Sequence, residues 1–90
     1  MKRIHIYISG IVQGVYLRHN TMIKAKELGL NGWARNLMDG SVEIVCEGES
    51  SSLDNMVEWC KIGPRGSSIE NIDIQWEDFK NEFNSFKIIY

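Results

Sequence analysis

Apolar residues recur at every second position, then at every third or fourth, then at every second again, and the order of those switches constrains the fold more than any other feature. Ile4, Ile6 and Ile8 alternate with Arg3, His5, Tyr7 and Ser9, which predicts a strand over residues 2–9. Leu17, Thr21, Ala25 and Leu28 fall on one helical stripe with Met22 beside it, while Lys24, Lys26 and Glu27 fill the opposite side. That spacing predicts a helix over 17–28, stopped by Gly29. Residues 31–36, with Trp33, read as a second strand, and Leu37-Met38-Asp39-Gly40 as a hairpin turn. In the third strand, 41–48, Val42, Ile44 and Cys46 face inward and Glu43, Val45 and Glu47 outward. Leu53, Met56, Val57 and Cys60 keep the spacing of a core-facing helix, with Ser50, Ser51 and Ser52 available to cap its start and Gly63-Pro64 to end it. Ile72, Ile74 and Trp76 alternate again. After a polar turn over 77–84, Phe86, Ile88 and Tyr90 alternate as a closing strand.

The order β-α-β-β-α-β implies an α+β, split βαβ arrangement: an antiparallel sheet with both helices on one face. Ninety residues make one domain, 1–90, near the small end of what folds without staples. Joining the first two strands through a helix makes them parallel, with the third inserted between. Their ends then emerge at one edge of the sheet, about 10 Å apart. Arg18 follows the first of these ends and Asn36 closes the second, so one small ligand can touch both.

The turn between the first strand and the first helix is Gly10-Ile11-Val12-Gln13-Gly14-Val15-Tyr16-Leu17-Arg18. Its glycines let the backbone turn successive N–H groups inward, and the helix aims the positive end of its dipole at the same point. Arg18 adds a planar, permanently charged fork suited to two phosphate oxygens. Read plainly, the same residues are a turn and a solvated arginine.

A net charge of −2 argues against a large nucleic-acid footprint or a basic membrane-binding surface, though not against a small positive pocket. No apolar run approaches the roughly 20 residues that span a bilayer, and no signal-peptide pattern opens the chain, so a cytoplasmic protein is expected. Cys46 and Cys60 lack metal-ligand spacing and occupy apolar positions, which predicts buried free thiols.

Gly32-Trp33-Ala34-Arg35-Asn36, followed after three residues by Gly40 and then by Val42 and Gly48, combines with the first turn into a specific pattern. Together they resemble the acylphosphatase family. The second motif is met throughout. The first departs at Leu17, where phenylalanine or methionine is usual, which touches the bracing of the loop rather than its chemistry. The likeness continues through Glu27-Leu28-Gly29-Leu30 and Gly63-Pro64, covers essentially the whole chain, and implies the ferredoxin-like fold.

The resemblance implies hydrolysis of an acyl phosphate to carboxylate and inorganic phosphate, with no metal and no cofactor. Arg18 falls on the family's substrate-binding arginine and Asn36 on its catalytic asparagine. The backbone amides of Gln13, Gly14, Val15, Tyr16, Leu17 and Arg18 fall on its phosphate cradle. A carboxylate leaves without protonation, so no general acid is needed, and phosphoryl transfer is mostly positioning and charge stabilisation. The expected partners are a small acyl phosphate and inorganic phosphate as product and inhibitor, with no nucleic acid, no membrane and a monomeric chain.

Other residues take plainer readings. His19 points away from Arg18 on the helix, His5 is a solvated sheet residue, and Arg35 is exposed. Trp33 and Trp76 pack the sheet rather than line an acyl pocket, and Trp59 covers an edge of the second helix. Glu43 and Glu47 form a wetted face. Those carboxylates also weigh against an RNA-binding module, whose partner they would repel. A non-catalytic domain that keeps the anion site as a sensor is the stronger rival.

Overall fold

The computed structural model describes residues 1–14 and 16–90. The elements follow the periodicities: β1 (Lys2–Ile11), α1 (Leu17–Glu27), β2 (Asn31–Asn36), β3 (Val42–Gly48), α2 (Ser50–Ile62), β4 (Ser68–Asp78) and β5 (Phe86–Ile89). The sheet order is β4-β1-β3-β2-β5. β1 and β2 both run antiparallel to β3, so they are parallel to each other across it. Ile4, Ile6 and Ile8 lie opposite Cys46, Ile44 and Val42, and all six side chains are fully buried. Leu53, Met56, Val57 and Cys60 of α2 close over them, as do Leu17 and Ala25 of α1. Fully burying a side chain of the Ile or Leu class contributes about 1.5–3 kcal/mol, so this layer is the main favourable contribution to folding. α2 packs on β1, β3 and β4, and α1 on β2 and β5.

Several features differ from the reading of the sequence. The sheet is mixed, because β5 pairs with β2 in parallel. β4 sits at one edge and β5 at the other, about 19 Å apart at four strand spacings. The chain from Asp78 to Phe86 reaches at most about 29 Å when extended, so it spans that distance with little slack. The polar turn therefore begins only after Asp78. The serines do not cap α2; the N-cap is Glu49, with no side-chain cap bond, and Leu53 donates its backbone N–H to the Glu49 carbonyl at 3.0 Å.

Glu43 and Glu47 are not a wetted face: they are 4% and 3% exposed. β3 is the central strand, and register sets Glu43 between Tyr7 and Arg35, and Glu47 between Arg3 and Asn31. Long neighbours on both sides shut out water. Glu43 is held by Arg35 Nε at 2.5 Å and by His5 Nε2 at 2.5 Å, so His5 is paired rather than solvated. Glu47 accepts the backbone N–H groups of Lys80 at 2.8 Å and Glu82 at 3.0 Å, tying the β4–β5 crossover to the helix-free face.

Arg35 is exposed, with its guanidinium 5.2 Å from the Trp33 ring centroid. Cys46 and Cys60 are buried free thiols. Burial drives the Cys46 thiol well above its usual range and pushes Cys60 up to about 12. No helix among the described residues is long and apolar enough to cross a membrane.

Candidate active site

Near its end, β1 shifts register between Ser9 and Gly10 against β4. A Cβ on Gly10 would sit 2.1 Å from the Ser68 carbonyl oxygen, and its φ of +127° is one that side chains rarely adopt. Only glycine lets the two strands close here, and the bulge turns the chain off the sheet toward α1. The loop beyond is wound tightly. Gly14 has φ 75°, and Tyr16, the N-cap of α1, is left-handed at φ 60°. A left-handed tyrosine costs about 1–2 kcal/mol. Its carbonyl accepts both the backbone N–H and the side-chain amide of Asn20, each at 2.9 Å, which offsets that cost.

No side chain caps the start of α1, so its first-turn N–H groups face the loop with the positive end of the helix dipole. α1 lies over β2 and β5, which brings this helix end above the ends of those two strands. A cleft of about 540 Å³ opens between them. Gly14, Tyr16, Leu17 and Arg18 line one side; Asn36, Ile88 and Tyr90 line the other; His19 and Val12 complete it.

Arg18 and Asn36 thus meet at one cleft, as their places after β1 and at the end of β2, two strands that run parallel on either side of β3, require. Leu17 reaches it from a fully packed position, 1% exposed, so it belongs to the core and the cleft wall together. Gln13 is not among the lining residues. Its side-chain amide donates to the Leu37 carbonyl at 2.8 Å and the Ser41 carbonyl at 2.9 Å, across to the β2–β3 hairpin. Val15 lies outside the described residues.

Val12, His19, Ile88 and Tyr90 line the cleft without having been given a place in the site by sequence. His19, expected to point elsewhere, borders the cleft from an exposed position. Ile88 and Tyr90 come from the closing strand, and the Arg18 guanidinium carbon stands 5.0 Å from the Tyr90 ring centroid. Their alternation was visible in sequence, but only the parallel pairing of β5 with β2 brings them beside Asn36.

The lining set carries two cationic or protonatable side chains, Arg18 and His19, and no Asp or Glu. Chemically that lining suits an anion, with the Asn36 amide at the rim. Among the described residues, no group of three or more His, Cys, Asp and Glu side chains is placed to hold a metal ion.

Comparison with known proteins gives the family and the fold. The family model described as Acylphosphatase matches residues 4–88. A protein of Roseiflexus sp. (strain RS-1), called an acylphosphatase, is 47% identical over 90 residues, covering 100% of this chain and 97% of its own length. An acylphosphatase of Pelotomaculum thermopropionicum is 43% identical over 88 residues, covering 98% of this chain and 96% of its own. The crystal structure of acylphosphatase from Bacillus subtilis superposes with a TM-score of 0.96 at 33% identity, covering all of both chains.

Proposed function

The chain belongs to the acylphosphatase family, hydrolases that act on acid anhydrides, and from that premise we propose that its cleft hydrolyses an acyl phosphate with Arg18 and Asn36 in distinct roles. In this reading the phosphoryl group sits at the start of α1. The Arg18 guanidinium and the free N–H groups of the first turn, with those of the preceding loop, hold its oxygens. Water attacks phosphorus in line. The bond from phosphorus to the acyl oxygen breaks, and the carboxylate leaves with that electron pair. The proton released by the attacking water goes to phosphate and solvent.

The Asn36 carboxamide is suited to fixing that water, because it offers an acceptor and two donors without carrying a charge that would repel the phosphoryl oxygens. A carboxylate leaving group has a conjugate-acid pKa near about 4, so departure needs no acid. A cleft lined by no carboxyl side chain is therefore adequate. The observation that carries the reading is the convergence of Arg18 and Asn36 on one cleft at an uncapped helix start.

Turnover of benzoyl phosphate, with and without chelator, tests it. The expected result is chelator-insensitive hydrolysis, competitively inhibited by inorganic phosphate. Arg18→Ala and Asn36→Ala each reduce kcat/KM on the order of 10²–10³-fold. Phosphate inhibition is lost in the first variant and kept in the second. Metal-dependent turnover would overturn the mechanism. Phosphate binding without turnover in the unaltered protein would leave an anion sensor instead.

A further inference from the structure

We propose that Gln13 is a positioning residue: its side-chain amide fixes the separation between the Arg18 side and the Asn36 side of the cleft. The inference rests on the reading of the cleft given above.

An uncharged primary amide has two N–H bonds on one nitrogen, and Gln13 uses both between the loops, on Leu37 at 2.8 Å and Ser41 at 2.9 Å. Leu37 directly follows Asn36, and its own N–H donates to the Ser41 carbonyl at 2.8 Å, so Gln13 is inserted where the hairpin closes. The Leu37 carbonyl also accepts from Gly40 N at 3.2 Å. Asp39 accepts the Ser41 N–H at 2.9 Å, which steadies the same turn. The hairpin is thus a stiff unit, and Gln13 joins it to a loop wound through left-handed residues at Gly14 and Tyr16. Among the described residues, no other side-chain hydrogen bond joins that loop to the hairpin.

Both acceptors are carbonyls, so the position calls for a neutral side chain with two donors. Methionine fills the same space without donors. Glutamate keeps the shape but turns a carboxylate on two carbonyl oxygens. Misplacing a reacting group by about 1 Å costs on the order of 10²-fold in rate. Loss of the tie therefore acts on kcat, while substrate retention by Arg18 is left in place.

The test is a kinetic cycle on benzoyl phosphate with Gln13→Met, Asn36→Ala and the double variant, each checked by urea unfolding. Gln13→Met is expected to lower kcat about 10- to 100-fold with little change in KM or in inhibition by phosphate. In the Asn36→Ala background the same change should cost less than about twofold, because the group it positions is gone. Gln13→Glu should lose more than Gln13→Met. Equal losses in both backgrounds, or a loss that tracks unfolding alone, would overturn the proposal. So would unchanged kcat in Gln13→Met beside a clear loss in Asn36→Ala, and that result leaves the reading of the cleft standing. Full activity in Asn36→Ala would overturn both.

Discussion

The Arg18 guanidinium carbon lies 5.0 Å from the centroid of the Tyr90 ring, inside the range at which a cation is attracted to an aromatic face. Arg18 comes from the first turn of α1 and Tyr90 follows β5, so the contact joins opposite walls of the cleft. Tyr90 is 97% exposed, so the ring is held by little else. It biases the arginine toward the cleft and leaves a free aromatic surface beside it.

Removing the ring releases that bias. A cation–π contact at an exposed site is worth about 0.5–1 kcal/mol, which corresponds to about two- to fivefold in binding. Tyr90→Ala is expected to raise the KM for benzoyl phosphate by that factor with kcat nearly unchanged, and Tyr90→Phe to behave as the unaltered protein. Steady-state kinetics of both variants check this. A Tyr90→Phe as impaired as Tyr90→Ala would show that the hydroxyl, not the ring face, matters.

Much of this architecture was legible in the sequence, and the reasons differ by residue. Ile4, Ile6 and Ile8 announced β1 because alternation is a local property. Arg18 and Asn36 could be brought together because split βαβ connectivity fixes where two strand ends emerge. The burial of Glu43 and Glu47 was not legible. Alternation says which face a residue takes, but whether that face is wet depends on neighbours across the strands, here Arg3, Tyr7 and Arg35. Tyr90 and the side chain of Gln13 were hidden for a related reason: their partners, Arg18 and the hairpin carbonyls, are set by tertiary pairing.

The thiols offer a simple check of the core. Cys46 and Cys60 are fully buried on opposite layers, and burial drives both away from the thiolate form that reacts. A colorimetric disulfide reagent at neutral pH is expected to leave the native protein unmodified and to titrate two thiols in denaturant. Modification of the native protein should proceed no faster than unfolding. Rapid labelling of either cysteine would mean that α2 does not seal β3.

Acid stability should depend on Glu43. Burial works to raise its carboxyl, but hydrogen bonds from His5, then Arg35 and Tyr7, together outweigh it and hold the group below its usual range. A carboxyl depressed in the folded state stabilises the protein fully above its unfolded value, about 4.3, and that contribution is lost as pH falls through the folded value. Asp39 works in the same direction through its hydrogen bonds from Ser41. Urea midpoints measured across this range should fall steeply with acid in the unaltered protein and less steeply in Glu43→Gln, which is less stable at neutral pH. Parallel profiles for the two proteins would remove Glu43 from the account.

Glu47 makes the largest stability prediction, because it ties the β4–β5 crossover to the central strand. Its oxygens accept Lys80 N and Glu82 N, and Arg3 Nη1 stands 3.5 Å away, itself 3.4 Å from Glu82 and with its Nε bonded to Glu77 at 3.0 Å. Without Glu47, Arg3 keeps Glu77 and Glu82, but the Lys80 and Glu82 N–H groups lose their acceptor, at about 1–3 kcal/mol for each one left unsatisfied. Domains of this kind are stable by only about 5–15 kcal/mol, so Glu47→Ala should bring the protein close to unfolding at room temperature. Glu47→Gln keeps one acceptor for the crossover and should cost less. Glu47 lies at the end of the sheet where Lys2 pairs with Gly48 and Asp78, away from the cleft beside Asn36, so the folded fraction of Glu47→Gln should retain its kcat. Chemical denaturation of both variants decides it: a cost under about 1 kcal/mol for Glu47→Ala would mean that the crossover is held by β5 pairing and not by this carboxylate.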